Sequence, residues 1–357
     1  MNTDLRFTRD GSIALETHLT EVCEAVRATI TRIVPASRLE GLALGGGYGR
    51  GEGGVLRSTS GDAPYNDIEF FVFIRGSTLL NDRRHSAALH REAHRLSEQA
   101  GVEVEFKILS LNQLRQSQTT MFYYDLLMGH RWLIGDDTLF AGCDAHRDAK
   151  NIPLHEATRL LMNRSSGLLF ARERLTQSDF TAEDADFVAR NIAKAQLALG
   201  DVFLAAHGFY HWSCLERQSR LRALTGRKSL IAHHAAGVEF KLHPYASKAT
   251  RGELAAQHTK VTAAAAQLFL WVESRRLRAS FRDLQSYRES HIDKCPETRP
   301  LRNRLINARH FGLPALLNPR YPRQSLLHGL CDLLWQDDCA PDPSLVAAYQ
   351  QLWQRFN

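Results

Sequence analysis

The chain has 357 residues, 44% apolar and 24% charged, the balance of an ordinary globular protein long enough for two domains. No apolar run is long enough to cross a bilayer, residues 1–10 are too polar for a secretory leader, and six scattered cysteines without a CxxC pair argue against a zinc finger or redox dithiol, so a cytoplasmic protein with reduced thiols is expected. The net charge of +6 is uneven: residues 1–150 carry 17 basic against 20 acidic side chains, and residues 151–357 carry 28 against 19, so the front half suits cations and the back half suits anions such as a triphosphate or nucleic acid, or is simply a solvated basic surface.

In chain order, Ile13, Leu19, Val22, Val26, Ile30 and Val34 recur at helical spacing, and Pro35 ends that helix. Leu42-Ala43-Leu44 is a short apolar run that leads into glycines. Residues 68–74 are rich in aromatic and β-branched side chains and predict a buried strand. Residues 85–99 have a helical pattern, and 102–109 alternate apolar and charged side chains as a half-buried strand does. Beyond about residue 150 strand signals almost vanish, and helices are expected over 154–175, 182–207, 250–288, 323–336 and 343–355. The expectation is an α+β domain over 1–150 (a mixed sheet with flanking helices) followed by an all-helical domain over 151–357 that completes a cleft.

Residues 45–54 read Gly-Gly-Gly-Tyr-Gly-Arg-Gly-Glu-Gly-Gly. So many glycines forfeit backbone entropy and suit a backbone that must approach something closely, such as a phosphate. A dinucleotide fingerprint fails on register, because Glu52 stands where a glycine is needed, and a P-loop fails for want of a Gly-Lys-Ser/Thr. Downstream, Asp67 and Glu69 are two apart at the head of an apolar strand, so both carboxylates point to one face. Side by side they repel unless a cation lies between them. Magnesium wants oxygen ligands and leaves room for phosphate oxygens, and two such ions can clamp an in-line displacement. The third acid is expected from the next strand, where Glu103, Glu105 and Lys107 share a face; Glu105 is the first choice and Glu103 its rival.

Together, Gly46-Gly47-Tyr48-Gly49-Arg50-Gly51-Glu52 and Asp67-Ile68-Glu69 resemble the DNA polymerase beta-like nucleotidyltransferase superfamily, with a turn most like that of the bacterial nitrogen-regulatory uridylyltransferase. Gly47 stands where the wider family has serine, Glu69 stands where aspartate is commoner, and residues 57–64 look like an inserted loop. Gly129-His130-Arg131-Trp132-Leu133-Ile134-Gly135 is similar to the segment that closes the catalytic domain in small members. The resemblance implies transfer of an NMP from a nucleoside triphosphate, with ATP the expected donor, to an acceptor hydroxyl, with pyrophosphate released. It implies two Mg2+ held by Asp67, Glu69 and Glu105, phosphates over Gly46, Gly47, Tyr48 and Arg50, and Lys194 against the triphosphate from the helical domain.

Each residue has a plainer role to set beside this. Arg50 could pair with Glu52 to brace the turn, Tyr48 could pack inside it, and Lys194 could be an exposed helix lysine sharing a face with Asp201. His90 and His94 are spaced like a zinc pair, but Glu92 is one place late for HExxH, so a surface helix is expected. The acceptor stays open between a small hydroxylated molecule, a protein side chain and an RNA end, as in the toxin–antitoxin members of this fold. No aromatic-rich RNA-binding or DNA-binding motif and no serine nucleophile elbow is present. The alternative is a non-catalytic nucleotide-binding regulator.

Overall fold

The computed structural model describes residues 6–336 and 342–357; residues 1–5 and 337–341, Cys339 among them, lie outside the described residues. The chain is mixed α and β with helix predominant. It divides into two compact units, the first formed by Met1–Pro153, His207–Leu224 and Val238–Tyr245, the second by Leu154–Ala206, Thr225–Gly237 and Ala246–Asn357. The division is therefore not a single cut at 150, because two later segments belong to the first unit.

The first unit opens with α1 (Ile13–Ile33), whose N-terminus is capped by the Ser12 hydroxyl accepting from the Leu15 N–H. It continues through β1 (Leu39–Leu44), the single turn α2 (Gly46–Gly49), a hairpin of β2 (Val55–Ser58) and β3 (Gly61–Pro64), β4 (Ile68–Ile74), α3 (Thr78–Ala100), β5 (Val104–Leu109), α4 (Leu111–Gln116), α5 (Met121–Met128) and β6 (Arg131–Ile134). The main sheet runs β5-β4-β1-β6. Strand β1 is antiparallel to β4 and β6, while β4 and β5 are parallel, as the intervening crossover helix α3 requires. The stretch 57–64 is a hairpin rather than an unstructured insertion, with Val55 opposite Pro64 and Ser58 opposite Gly61.

Both sheet faces are covered. Ile68, Phe70, Val72 and Ile74 of β4 pack with Leu42 and Leu44 against the apolar stripe of α1 and against Leu89 and Leu96 of α3. Phe71 and Phe73 point the other way, with Ala43, toward Leu111, Leu114, Leu126, Leu127 and Phe140. Each such side chain contributes about 1.5–3 kcal/mol on burial. A strand covered on both sides reads as an unbroken apolar run, which is why a lone charge in it, Glu69, stands out. By alternation Glu69 shares the face of Phe71 and Phe73, at the open end of that face.

After β6 every regular element among the described residues is helical. They are α6 (Leu154–Thr176), α7 (Ala182–Ala206), α8 (Cys214–Leu224), α9 (Lys228–Leu242), α10 (Arg251–Leu277), α11 (Leu284–Glu289), α12 (Pro300–Phe311), α13 (Arg323–Leu333) and α14 (Pro343–Phe356). Of these α8 belongs to the first unit. In the second unit α6, α7 and α10 form the central bundle, anchored by the buried Glu273, which takes Arg276 at 2.7 Å, the Tyr287 hydroxyl at 2.7 Å and the Thr158 hydroxyl at 2.6 Å. The pattern expected as one helix over 250–288 breaks at Arg278, which adopts a left-handed φ of 52°, and restarts behind the Asp283 cap. No helix among the described residues is long and apolar enough to cross a membrane.

Candidate metal centre

The glycine turn is set by two close approaches. Gly46 has φ +59°, and a Cβ there would stand 2.6 Å from a carboxylate oxygen of Glu69. At Gly49 a Cβ would stand 2.4 Å from the Leu44 carbonyl oxygen. The turn is therefore laid directly on the ends of β1 and β4, and the Gly45 N–H donates to the Glu69 carbonyl at 2.9 Å. The N–H groups of Gly46, Gly47 and Tyr48 take no acceptor among the described residues, as expected at a helical first turn.

The Tyr48 side chain does not present itself to a ligand. Its ring is buried, its hydroxyl donates to the Gly54 carbonyl at 3.0 Å and accepts from the Tyr65 N–H at 2.9 Å. Burial pushes its pKa up to about 12 against the opposing pull of the Tyr65 and Asn66 backbone. The side chain of Tyr48 packs inside the turn, which leaves only its N–H for the ligand contact expected of it.

Arg50 and Glu52 also turn inward, but not toward each other. Arg50 pairs with Asp125 at 3.3 Å and donates to the Trp212 carbonyl at 3.0 Å. Burial lowers its pKa, but the Asp125 carboxylate more than restores it. Glu52, 4% exposed, accepts from the Ser213 hydroxyl at 2.5 Å and the Cys214 N–H at 2.9 Å, at the start of α8. Burial raises its pKa, yet those two donors and Lys241 hold it below the ordinary glutamate value. The partner of Arg50 is Asp125 rather than Glu52, the partner a brace within the turn would have given it. Tyr210 joins the same network, donating to Asp125 at 3.1 Å.

The acids gather at the open end of β4 and β5. In the parallel register Glu69 lies beside Glu105, and the Ile68 N–H donates to the Glu103 carbonyl at 2.8 Å. Asp67, Glu103 and Glu105 each bring a carboxylate oxygen within 4.8 Å of the others. Asp67 and Glu103 are exposed and Glu105 is half-buried. Glu69 is engaged differently: the Lys107 ammonium lies 2.5 Å from it and 3.2 Å from Glu105. Burial lowers the Lys107 pKa, but Glu69 and Glu105 raise it overall. The strand pair therefore supplies the neighbouring acid that alternation called for, and brings Glu103 rather than Glu69 into the close trio. Three carboxylates converging at a solvent-facing strand end form an all-oxygen donor set that fits a hard divalent cation.

An open groove of about 900 Å³ runs between α3 and the free edge of β5, lined by Glu103, Glu105 and Lys107 together with His90 and His94. Both histidines are exposed, and His94 pairs with Glu98 at 3.6 Å, as a surface helix would have it. On the sheet face that carries Glu69, Phe122 of α5 stacks on Phe71 at 5.5 Å and stays 39% exposed. No sequence signal singled out Phe122, since a lone aromatic in a short apolar helix reads as core.

Lys194 stands exposed on α7 in the second unit, and Asp201 of the same helix is buried against His234 at 3.0 Å. Asp201 therefore belongs to that unit's interior. Compared with known proteins, the chain matches no family model and no curated protein.

Proposed function

We propose that the first unit is a divalent-cation-dependent nucleotidyltransferase of the polymerase-beta-like type, moving an NMP from a nucleoside triphosphate, ATP first among candidates, to an acceptor hydroxyl. The observation that carries this reading is the convergence of Asp67, Glu103 and Glu105 within 4.8 Å, beside a glycine turn whose Gly46 abuts Glu69. Both parts are needed: carboxylates alone are common on surfaces, and a glycine turn alone has many uses.

A bound Mg2+ would supply charge neutralisation and alignment of phosphate oxygens. Asp67, Glu103 and Glu105 would hold it. The N–H groups of Gly46, Gly47 and Tyr48 would donate to phosphate oxygens, with the two glycines leaving the approach open. Glu105 or Glu103 would take the proton of the acceptor hydroxyl. Its oxygen forms the new bond to the α-phosphorus, the bond from that phosphorus to the bridging oxygen breaks, and pyrophosphate leaves. Positioning and charge neutralisation carry most of the rate in such transfers. The acceptor is a small hydroxylated molecule, a protein side chain or an RNA end.

The test is transfer of label from α-labelled ATP, CTP, GTP and UTP in cell extract, with the label located on protein, RNA or small molecules. Transfer that chelator and Asp67→Asn both abolish is expected. A second reading, a nucleotide-binding regulator without turnover, is favoured by one observation: Lys107 already lies between Glu69 and Glu105. Magnesium-dependent triphosphate binding by calorimetry with no pyrophosphate from any acceptor would select it.

A further inference from the structure

The cluster at the head of β4 and β5 contains four carboxylates, Asp67, Glu69, Glu103 and Glu105, and one ammonium, Lys107. The ammonium is not placed at random. Period two puts it on the face of Glu105, and the parallel register puts it beside Phe71, one pleat along from Glu69. From there its Nζ reaches Glu69 at 2.5 Å and Glu105 at 3.2 Å, over the Phe71 ring at 5.8 Å. The other carboxylate oxygen of Glu69 faces Gly46, where a Cβ would stand 2.6 Å from it. The four acids thus fall into two groups. Glu69 is paired with a protein cation beside the turn, while Asp67, Glu103 and Glu105 bring carboxylate oxygens within 4.8 Å of one another. Glu105 is shared between the groups.

We propose that Lys107 is a built-in counter-cation that occupies the second cationic position of this site, so that the chain takes one divalent ion, on Asp67, Glu103 and Glu105, where two would otherwise bind. The inference rests on the carboxylates being a cation site, as proposed above. Two neighbouring acids need a positive charge between them, and between Glu69 and Glu105 Lys107 supplies it. An ammonium is a point charge with three donors and no capacity to ligate, so it neutralises that pair without holding a phosphate oxygen through a metal. Removing it leaves Glu69 and Glu105 side by side, with the repulsion that invites a second ion.

The experiment is Mn2+ binding to the full chain, read from the loss of the free-ion electron paramagnetic resonance signal, without nucleotide. The expected result is one Mn2+ per chain for the native protein, one for Lys107→Arg and two for Lys107→Met. Glu69→Gln should keep one ion with its Kd within about threefold, whereas Glu103→Gln should weaken it by about tenfold or more, in line with loss of a ligand. Two ions in the native chain, or one ion of unchanged Kd in a folded Lys107→Met, overturns the role of Lys107 while leaving the cation site standing. An unchanged Kd in Glu103→Gln overturns the assignment of the single ion. No Mn2+ in any variant overturns the cation site itself. The native stoichiometry is decisive even if Lys107→Met fails to fold.

Discussion

Two groups of charges lie close together in the first unit, and they are built on opposite rules. Around Arg50, Glu52 and Asp125 each charge meets an opposite charge or a hydrogen-bond partner fixed by the fold, with Glu52 buried. At the head of β4 and β5 three carboxylates of like sign converge at the surface. A matched, buried charge serves the fold, and losing one partner leaves the other stranded at a cost of several kcal/mol. A massed, exposed charge of one sign gains nothing for stability, and the proposed cation would account for it. The contrast separates the residues of the glycine turn too: the side chains of Tyr48, Arg50 and Glu52 serve the fold, while Gly46 abuts Glu69.

The comparison is broken most directly at Asp67. Asp67→Asn should cut NMP transfer by about 10³-fold, about 4 kcal/mol of barrier, while shifting unfolding by no more than about 0.5 kcal/mol; a large loss of stability in denaturant melts would place Asp67 with the structural charges. Next comes Glu52→Ala, which should cost about 3 kcal/mol of stability because Ser213 and the first turn of α8 lose their acceptor. A chemical denaturation midpoint equal to that of the native chain would erase the distinction. Gly46→Ala is expected to do both on a smaller scale. A Cβ there needs a left-handed conformation and room now held by Glu69, so about 1–2 kcal/mol of stability should go, with transfer reduced about tenfold.

The smallest effect concerns pH. The native pKa of Glu52 lies below the unfolded value of 4.5, so its contribution is fully present above pH 4.5 and is lost as pH falls through the lower folded value. Glu52→Gln should therefore show a flatter acid limb than the native chain in melts below pH 4.5, with no difference in slope between pH 6 and 8. Parallel acid limbs would mean that the Ser213 and Cys214 contacts do not act on the ionised form.

Much of this was legible in local sequence. Period two placed Glu69 on one face of β4 and put Glu103, Glu105 and Lys107 together on β5, and β4 read as a buried strand because it is covered on both sides. The hairpin over 55–64 was not legible, since its polar, short strands lack an apolar alternation and gain register only from pairing. The partners of Arg50 and Glu52 were not legible either. Trp212, Ser213 and Cys214 lie more than 150 positions away, and no local periodicity encodes such a pairing. For the same reason proximity in sequence suggested an Arg50–Glu52 contact, although each finds a better partner across the fold.

The return of residues 207–224 and 238–245 to the first unit has a consequence for how the protein is made. Glu52 leaves the ribosome 161 residues ahead of Ser213. At about 5–20 residues per second that interval lasts on the order of ten to thirty seconds. During it the glycine turn exists without the donors that later bury its carboxylate. The first unit cannot finish folding in order of synthesis; it waits until Leu154–Ala206 and Thr225–Gly237 of the second have been translated. A chain broken anywhere between 153 and 207 would leave both fragments incomplete, and the turn that would bear on the substrate is secured only when the nascent chain has doubled back.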